Sequence, residues 1–359
     1  MSSDSTYIKA MEIHRNAVVV EGHSDILVDV VVRQRRGEKN VIREVFLPRM
    51  KRGGVKFSVL AVGGDHSSFV SGTEYPSHTF AAIQNIDRVV MEAEDSGGEF
   101  FIVREKADLD RRNGIGMILF IEGALPLSGS LHILRTFYRL GLRVLGFAWS
   151  WRNEVADGTA EERSSGLSRF GIEVVKEMNR LGMLIDVSHL SDACFYHVLE
   201  ITKAPVIASH SNARTLCNHP RNLTDDMIKK IAHNGGVVGI CFFPHFVTSG
   251  PDVSVDDLID HLDYIKTLVG MDHISLGPDF LDYRIQYFTG MTGSFASVQE
   301  GSTEGPKDPA SYFRYPKGVE DVTQLPNFTH AMLRRGYSED EIRKVLGGNL
   351  FRVFKEVWK

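Results

Sequence analysis

Eight short, mostly apolar runs recur along the chain, at residues 17–20, 55–62, 115–121, 142–147, 183–188, 205–209, 236–241 and 273–276. The first, Ala17-Val18-Val19-Val20, has no polar alternation and reads as a strand covered on both faces. Between the runs lie stretches with helical spacing. Residues 79–95 place Phe80, Ile83, Ile86, Val89, Val90 and Ala93 on one face, and residues 166–181 do the same with Phe170, Val174, Val175 and Met178 before Gly182 closes the helix. Further helices are predicted over 128–140, from Ser191, from Thr224 to Asn234-Gly235, and over 254–269, with Ser191 and Thr224 as N-caps. Strands alternating with helices call for parallel pairing through crossover helices, and eight such units close into a (β/α)8 barrel. A doubly wound open sheet is the alternative. No Gly-rich phosphate loop follows any run, which weakens a nucleotide-binding reading.

Two stretches break the alternation. The Arg33, Arg35, Arg36 cluster after the first run reads as a solvated loop. Residues 282–316 are rich in Tyr, Phe, Gly, Thr, Ser and Pro without a period, so a long loop around 280–318 is expected to cover the barrel mouth. Helical character returns with Phe328, Met332 and Leu333, then Ile342, Val345 and Leu346, then Leu350, Val353 and Phe354. Neither a linker nor an internal repeat divides the chain, so residues 1–359 are expected to form one domain.

The ends of the runs carry the candidate chemistry. His23 and Asp25 follow the first, Glu122 the third, His189 the fifth, His210 the sixth and Asp279 the eighth. His23 and Asp25, two apart on an extended chain, point the same way and can share one divalent metal. Each residue also has an ordinary use: a His-Asp pair at a strand end, a carboxylate at a helix start for Glu122, satisfied strand-end histidines, a turn cap for Asp279. In a barrel, however, all of these ends meet on one face, where catalytic groups gather. Three imidazoles and three carboxylates there suit two borderline or hard divalent ions such as Zn²⁺, with a carboxylate between them. The other eleven histidines fall in loops, in helices or at a strand start, and take no role.

Composition narrows the class. A net charge of -5 over 359 residues, with no basic stripe, argues against a nucleic-acid partner. Three cysteines without zinc-finger spacing fit buried thiols in a reducing compartment. The first residues, Met1 to Thr6, are polar and unlike a secretory signal, and no apolar run reaches the ~20 residues of a membrane span. A cytoplasmic protein without a membrane anchor is expected.

The motifs taken in order resemble the membrane (renal-type) dipeptidases, a branch of the amidohydrolase superfamily. They are Glu21-Gly22-His23-Ser24-Asp25, Phe120-Ile121-Glu122-Gly123-Ala124, Gly166-Leu167-Ser168-Arg169-Phe170-Gly171, Leu184-Ile185-Asp186-Val187-Ser188-His189, Pro205 to Ala213, Pro220 to Asp226, Gly277-Pro278-Asp279-Phe280 and Gly347 to Val353. The resemblance implies that His23 and Asp25 bind one zinc, His189 and His210 a second, and that Glu122 bridges them. It implies that Asp279 moves the proton from the bridging water to the leaving amine, and that Arg221 grips the substrate carboxylate through a bidentate fork. The substrate would be a dipeptide or an acyl-amino acid, and the assembly a possible homodimer. Without the resemblance, Arg221 would read as a surface residue before a helix.

Two departures stand out. The renal-type enzymes carry a carbonyl-polarising histidine where this chain has Trp149, whose indole donates one hydrogen bond and carries no charge. The usual Asp-Phe-Asp-Gly is Asp279-Phe280-Leu281-Asp282 here, which bears on loop geometry and substrate choice. Two rivals therefore remain open: a hydrolase of lactones, esters or N-acyl-amino acids on the same scaffold, and a metal-stabilised binding protein without catalysis.

Overall fold

The structure is a computed structural model, and residues 3–65, 77–250, 252–281 and 314–359 are described. The chain opens with helix α1 (Ser3–Asn16), strand β1 (Val19–Ser24), and helices α2 (Leu27–Arg35) and α3 (Leu47–Arg52). Then follow β2 (Val55–Gly64), α4 (His78–Asp95), the short β3 (Phe100–Ile102), β4 (Ile115–Glu122), α5 (Leu131–Leu140) and β5 (Leu142–Gly146). The second half continues with α6 (Arg169–Leu181), β6 (Leu184–Asp186), α7 (Asp192–Ile201), β7 (Val206–Ala208), α8 (Asp225–His233), β8 (Val237–Ile240), α9 (Val255–Val269) and β9 (Ile274–Leu276). Helices α10 (Leu325–Arg334), α11 (Glu339–Arg343) and α12 (Asn349–Val357) end the chain.

All strand pairs are parallel, in the order β1-β2-β4-β5-β6-β7-β8-β9, with β3 attached to β4 outside that path. The two ends of the order meet. Ser24 and Phe280 form a parallel bridge, and a Cβ on Gly22 would lie 2.2 Å from the Leu276 carbonyl oxygen, so glycine lets β1 and β9 approach. The result is a (β/α)8 barrel.

The unbroken apolar runs are explained by two cores. On β4, Ile118 and Phe120 point into the barrel while Met117, Leu119 and Ile121 pack under the helices, so both faces are buried. The interior holds Val20, Val59, Ala61, Val144, Leu184, Ile207 and Val237, and α12 with the Trp358 that follows it plugs the N-terminal end, through Leu350, Val353, Phe354 and Trp358. Asn349 fixes that plug by donating to the Met271 and Ile274 carbonyls, both at 2.8 Å. The bottom is therefore filled, and the strand C-terminal ends form the open face.

Three elements depart from the sequence reading. The Arg-rich stretch is helix α2, because Leu27, Val30 and Val31 give it a buried face and Arg33 ion-pairs with the buried Asp29 at 2.7 Å. Helix α1 forms at the polar N-terminus, with Ala10, Ile13 and His14 buried. The short β3 adds Phe100–Ile102 beside β4. Of the loop expected around 280–318, residues 282–313 lie outside the described residues. No helix among the described residues is long and apolar enough to cross a membrane.

Candidate metal centre

Six polar side chains converge on the open face, all buried. His23 lies in the last turn of pleat of β1, and Asp25 one residue past it. Glu122 is the last residue of β4, while His189, His210 and Asp279 follow β6, β7 and β9 within three residues. Glu122 Oε1 sits 3.0 Å from His189 Nε2, 3.4 Å from His210 Nε2 and 3.6 Å from His23 Nε2. His23 Nε2 is also 3.5 Å from Asp25 Oδ2 and 3.7 Å from Asp279 Oδ1. The ligand atoms fall into two overlapping groups, His23–Glu122–His210 and His23–Asp25–Asp279, each within 4.8 Å.

The backbone is bent to deliver two of these groups. His189 and Asp279 have φ of 69° and 55°, a left-handed conformation that costs an L-residue about 1–2 kcal/mol. At Asp279 the turn is clamped by Tyr315, whose hydroxyl donates to the Asp279 carbonyl and accepts from the Leu281 amide at 2.8 Å.

The electrostatics are those of crowded charge in a buried cup. Burial disfavours a charged His23, but Glu122, Asp25 and Asp279 outweigh it and push its pKa up to about 10. Burial pushes Glu122 up to about 8 against the pull of His23. His210 goes the other way, held well below the usual imidazole range by burial and by the positive charges of His23 and Arg221. Neither ring nitrogen of the buried His23 has a hydrogen-bond partner among the described residues. An imidazole buried with two orphaned nitrogens, facing carboxylate oxygens just beyond hydrogen-bond range, fits a divalent cation. The donor set of imidazole nitrogens and carboxylate oxygens suits zinc. His23, Asp25, Glu122, His189 and His210 are the residues that would hold it.

Arg221 and Trp149 also reach the cup. Arg221, only 4% exposed, lies between β7 and α8. Its Nη2 donates to the His210 carbonyl at 3.3 Å, its guanidinium lies 5.3 Å from the Phe246 ring centre, and its Nε has no partner among the described residues. Burial lowers its pKa while Asp279 and Glu122 raise it. The Trp149 ring centre lies 6.1 Å from that of His189.

Sequence reasoning missed the residue that seats Trp149. Asp65, immediately after β2, accepts from the Leu125 amide at 2.8 Å, the Asn153 side chain at 2.8 Å and the Trp149 amide at 3.2 Å. Its carboxylate fills the space where a Cβ on Gly123, itself at φ 94°, would lie 2.3 Å away. Burial raises the Asp65 pKa to about 6 against those three donors. A carboxylate at the end of an apolar run was the available signal, but Gly63-Gly64-Asp65 alone gives no partner.

The chain is similar in sequence and fold to known proteins. Dipeptidase 3 from Homo sapiens is 31% identical over 98% of this chain and 67% of its own length. Dipeptidase aclJ from Aspergillus oryzae is 32% identical over 88% of this chain and 70% of its own. Among solved structures, an amidohydrolase from Pseudomonas aeruginosa superposes with a TM-score of 0.77 at 27% identity, covering 97% of this chain and 99% of that one. A metallo peptidase from Rhodobacter sphaeroides, bound to a phosphinate mimic of the dipeptide L-Ala-D-Ala, gives 0.77 at 25% identity, covering 96% and 100%. The profile described as membrane dipeptidase, peptidase family M19, matches residues 8–292 and 307–359, and with these relatives it establishes that the chain belongs to the membrane dipeptidase family.

Proposed function

We propose that this protein is a metal-dependent dipeptidase that hydrolyses the amide bond of dipeptides, with two zinc ions held by His23, Asp25, His189 and His210 and shared by Glu122. The observation that carries the reading is the position of Glu122 Oε1, within 3.6 Å of three imidazole Nε2 atoms on the face where the buried Arg221 also lies. Dipeptidase relatives and a neighbour that accepts a dipeptide mimic support it.

Zinc, when bound, supplies a Lewis acid and lowers the pKa of water to about 7. The protein's own groups do the rest. Asp279 takes the proton of the attacking water on a carboxylate oxygen and returns it to the departing amine nitrogen, as general base and then acid. Tyr315 keeps that carboxylate in place by fixing the backbone on both sides of it. Arg221, with donors unspent, grips the terminal carboxylate of the substrate. One buried cation at a fixed distance from Asp279 selects short peptides, since a longer C-terminal extension would carry its carboxylate past Arg221. Trp149 lies beside His189, an uncharged indole in place of a charged donor.

The test is metal analysis of the purified protein with turnover of a dipeptide library of both stereochemistries, beside an N-acyl-amino acid and a lactone, repeated on Asp279→Asn. Zinc at two per chain and dipeptide turnover that vanishes in Asp279→Asn support the reading. Faster turnover of the acyl-amino acid or lactone moves the substrate class, and zinc uptake without any turnover leaves a binding protein.

A further inference from the structure

Asp186 ends β6, in register with Ile207 of β7, and Ser209 follows that strand just before His210. All three are about 1% exposed. Asp186 Oδ1 accepts the amides of Ser188 and Ser209, both at 3.0 Å. Its Oδ2 lies 2.5 Å from Ser209 Oγ, and that oxygen lies 2.7 Å from His210 Nδ1. The remaining contact of the Ser209 hydroxyl, to Ser188 Oγ, is longer at 3.4 Å.

A hydroxyl has one proton, and a carboxylate offers only lone pairs. Were Ser209 to donate to His210, its oxygen would face Asp186 Oδ2 at 2.5 Å with lone pairs on both sides. The proton therefore goes to Asp186, and Ser209 accepts from His210 Nδ1. We propose that Asp186, acting through Ser209, is a positioning residue that holds His210 in the Nδ1–H tautomer, so that Nε2, which lies 2.9 Å from His189 Nε2 and 3.4 Å from Glu122 Oε1, carries the lone pair that zinc would take. This rests on the zinc reading above, and it assigns Asp186 and Ser209 a part in metal affinity that neither their sequence context nor contact with substrate reveals. The partner of the other ring nitrogen sets the tautomer of a metal-binding histidine.

Asp186→Asn reverses the relay. The asparagine carbonyl keeps the two backbone amides, and its NH2 then donates to Ser209. The hydroxyl turns to His210 Nδ1, and the imidazole proton moves to Nε2, where it blocks the metal. Long-range proton–nitrogen NMR on protein labelled at histidine, with the His210 signal assigned by its loss in His210→Gln, reads the tautomer in metal-free protein. Competition with a chelator reads the zinc affinity. The expected results are an Nδ1–H His210 in the wild type, an Nε2–H His210 in Asp186→Asn, and zinc binding weakened about 10- to 100-fold in that variant. Ser209→Ala should give mixed tautomers and a smaller loss, and it decides the matter if Asp186→Asn does not fold. An Nε2–H His210 in the wild type, or variants that keep both tautomer and affinity, overturns the proposal. Wild-type protein that takes up no zinc overturns the zinc reading instead, and the tautomer still decides this one.

Discussion

His189 and Asp279 share a left-handed backbone, with φ of 69° and 55°, and both turn their side chains toward Glu122 and His23. Among the described residues only Asn40 and Ser128 join them as non-glycine residues with positive φ. Strain of this kind persists where the surrounding structure enforces it, and here it aims a ligand candidate and the proton carrier into one cup.

That conformation separates two substitutions at Asp279. Asparagine tolerates left-handed backbone, so Asp279→Asn should fold as well as the wild type while kcat falls about 10²- to 10⁴-fold. Alanine removes the same carboxylate but not the strain, so Asp279→Ala should be less stable than Asp279→Asn by about 1 kcal/mol. Thermal melts of the two variants beside steady-state kinetics check both halves.

Tyr315 offers a second handle on the same turn. Tyr315→Phe removes the acceptor of the buried Leu281 amide and the donor to the Asp279 carbonyl. A cost of about 1–3 kcal/mol in stability is expected, with kcat reduced more than KM changes, because the proton carrier moves while Arg221 stays. Equal loss in an Asp279→Asn background, where no proton carrier remains, would contradict the positioning role.

Metal-free protein should lose stability as pH rises from 7 to 10. His23, raised to about 10, and Glu122, raised to about 8, both bind protons in the folded state that the unfolded chain has released. More protons on the native state means stability falls with rising pH across that window. His210 is lowered and acts below its ordinary value, so it does not oppose the trend. Melting temperatures in chelator should decline between pH 7 and 10, and zinc should raise them throughout, a hundred times Kd adding about 2.7 kcal/mol to the unfolding free energy.

Arg221 predicts selectivity for a free carboxylate. Arg221→Lys loses the planar fork, and kcat/KM for dipeptides should fall about 100-fold. Dipeptide amides should be poor substrates of the wild type and should suffer little further loss in the variant. Comparing the two substrates across both proteins gives the coupling directly.

By itself, the sequence determined the strand-and-helix alternation and which polar residues stand at the strand ends. Parallel strands buried on both faces leave continuous apolar runs, a local signal that survives without knowledge of partners. That was enough to nominate His23, Asp25, Glu122, His189, His210 and Asp279, and the family resemblance added Arg221 and Trp149. Helix α2 stayed hidden because its arginines masked a buried face formed by Leu27, Val30 and Val31. What the histidines do depended on distant partners. His14 is buried too, yet its nitrogens are met by Thr329 Oγ1 at 2.7 Å and the Gly53 carbonyl at 2.9 Å, whereas those of His23 have no hydrogen-bond partner among the described residues. Asp65 holds Trp149 from 84 residues away, Asp186 reaches Ser209 across 23, and Tyr315 clamps Asp279 across 36. Hydrogen bonds between residues so far apart leave no periodicity in the chain, so only the closed barrel, by bringing strand ends together, decided which of its polar groups are spent on structure and which face the cup.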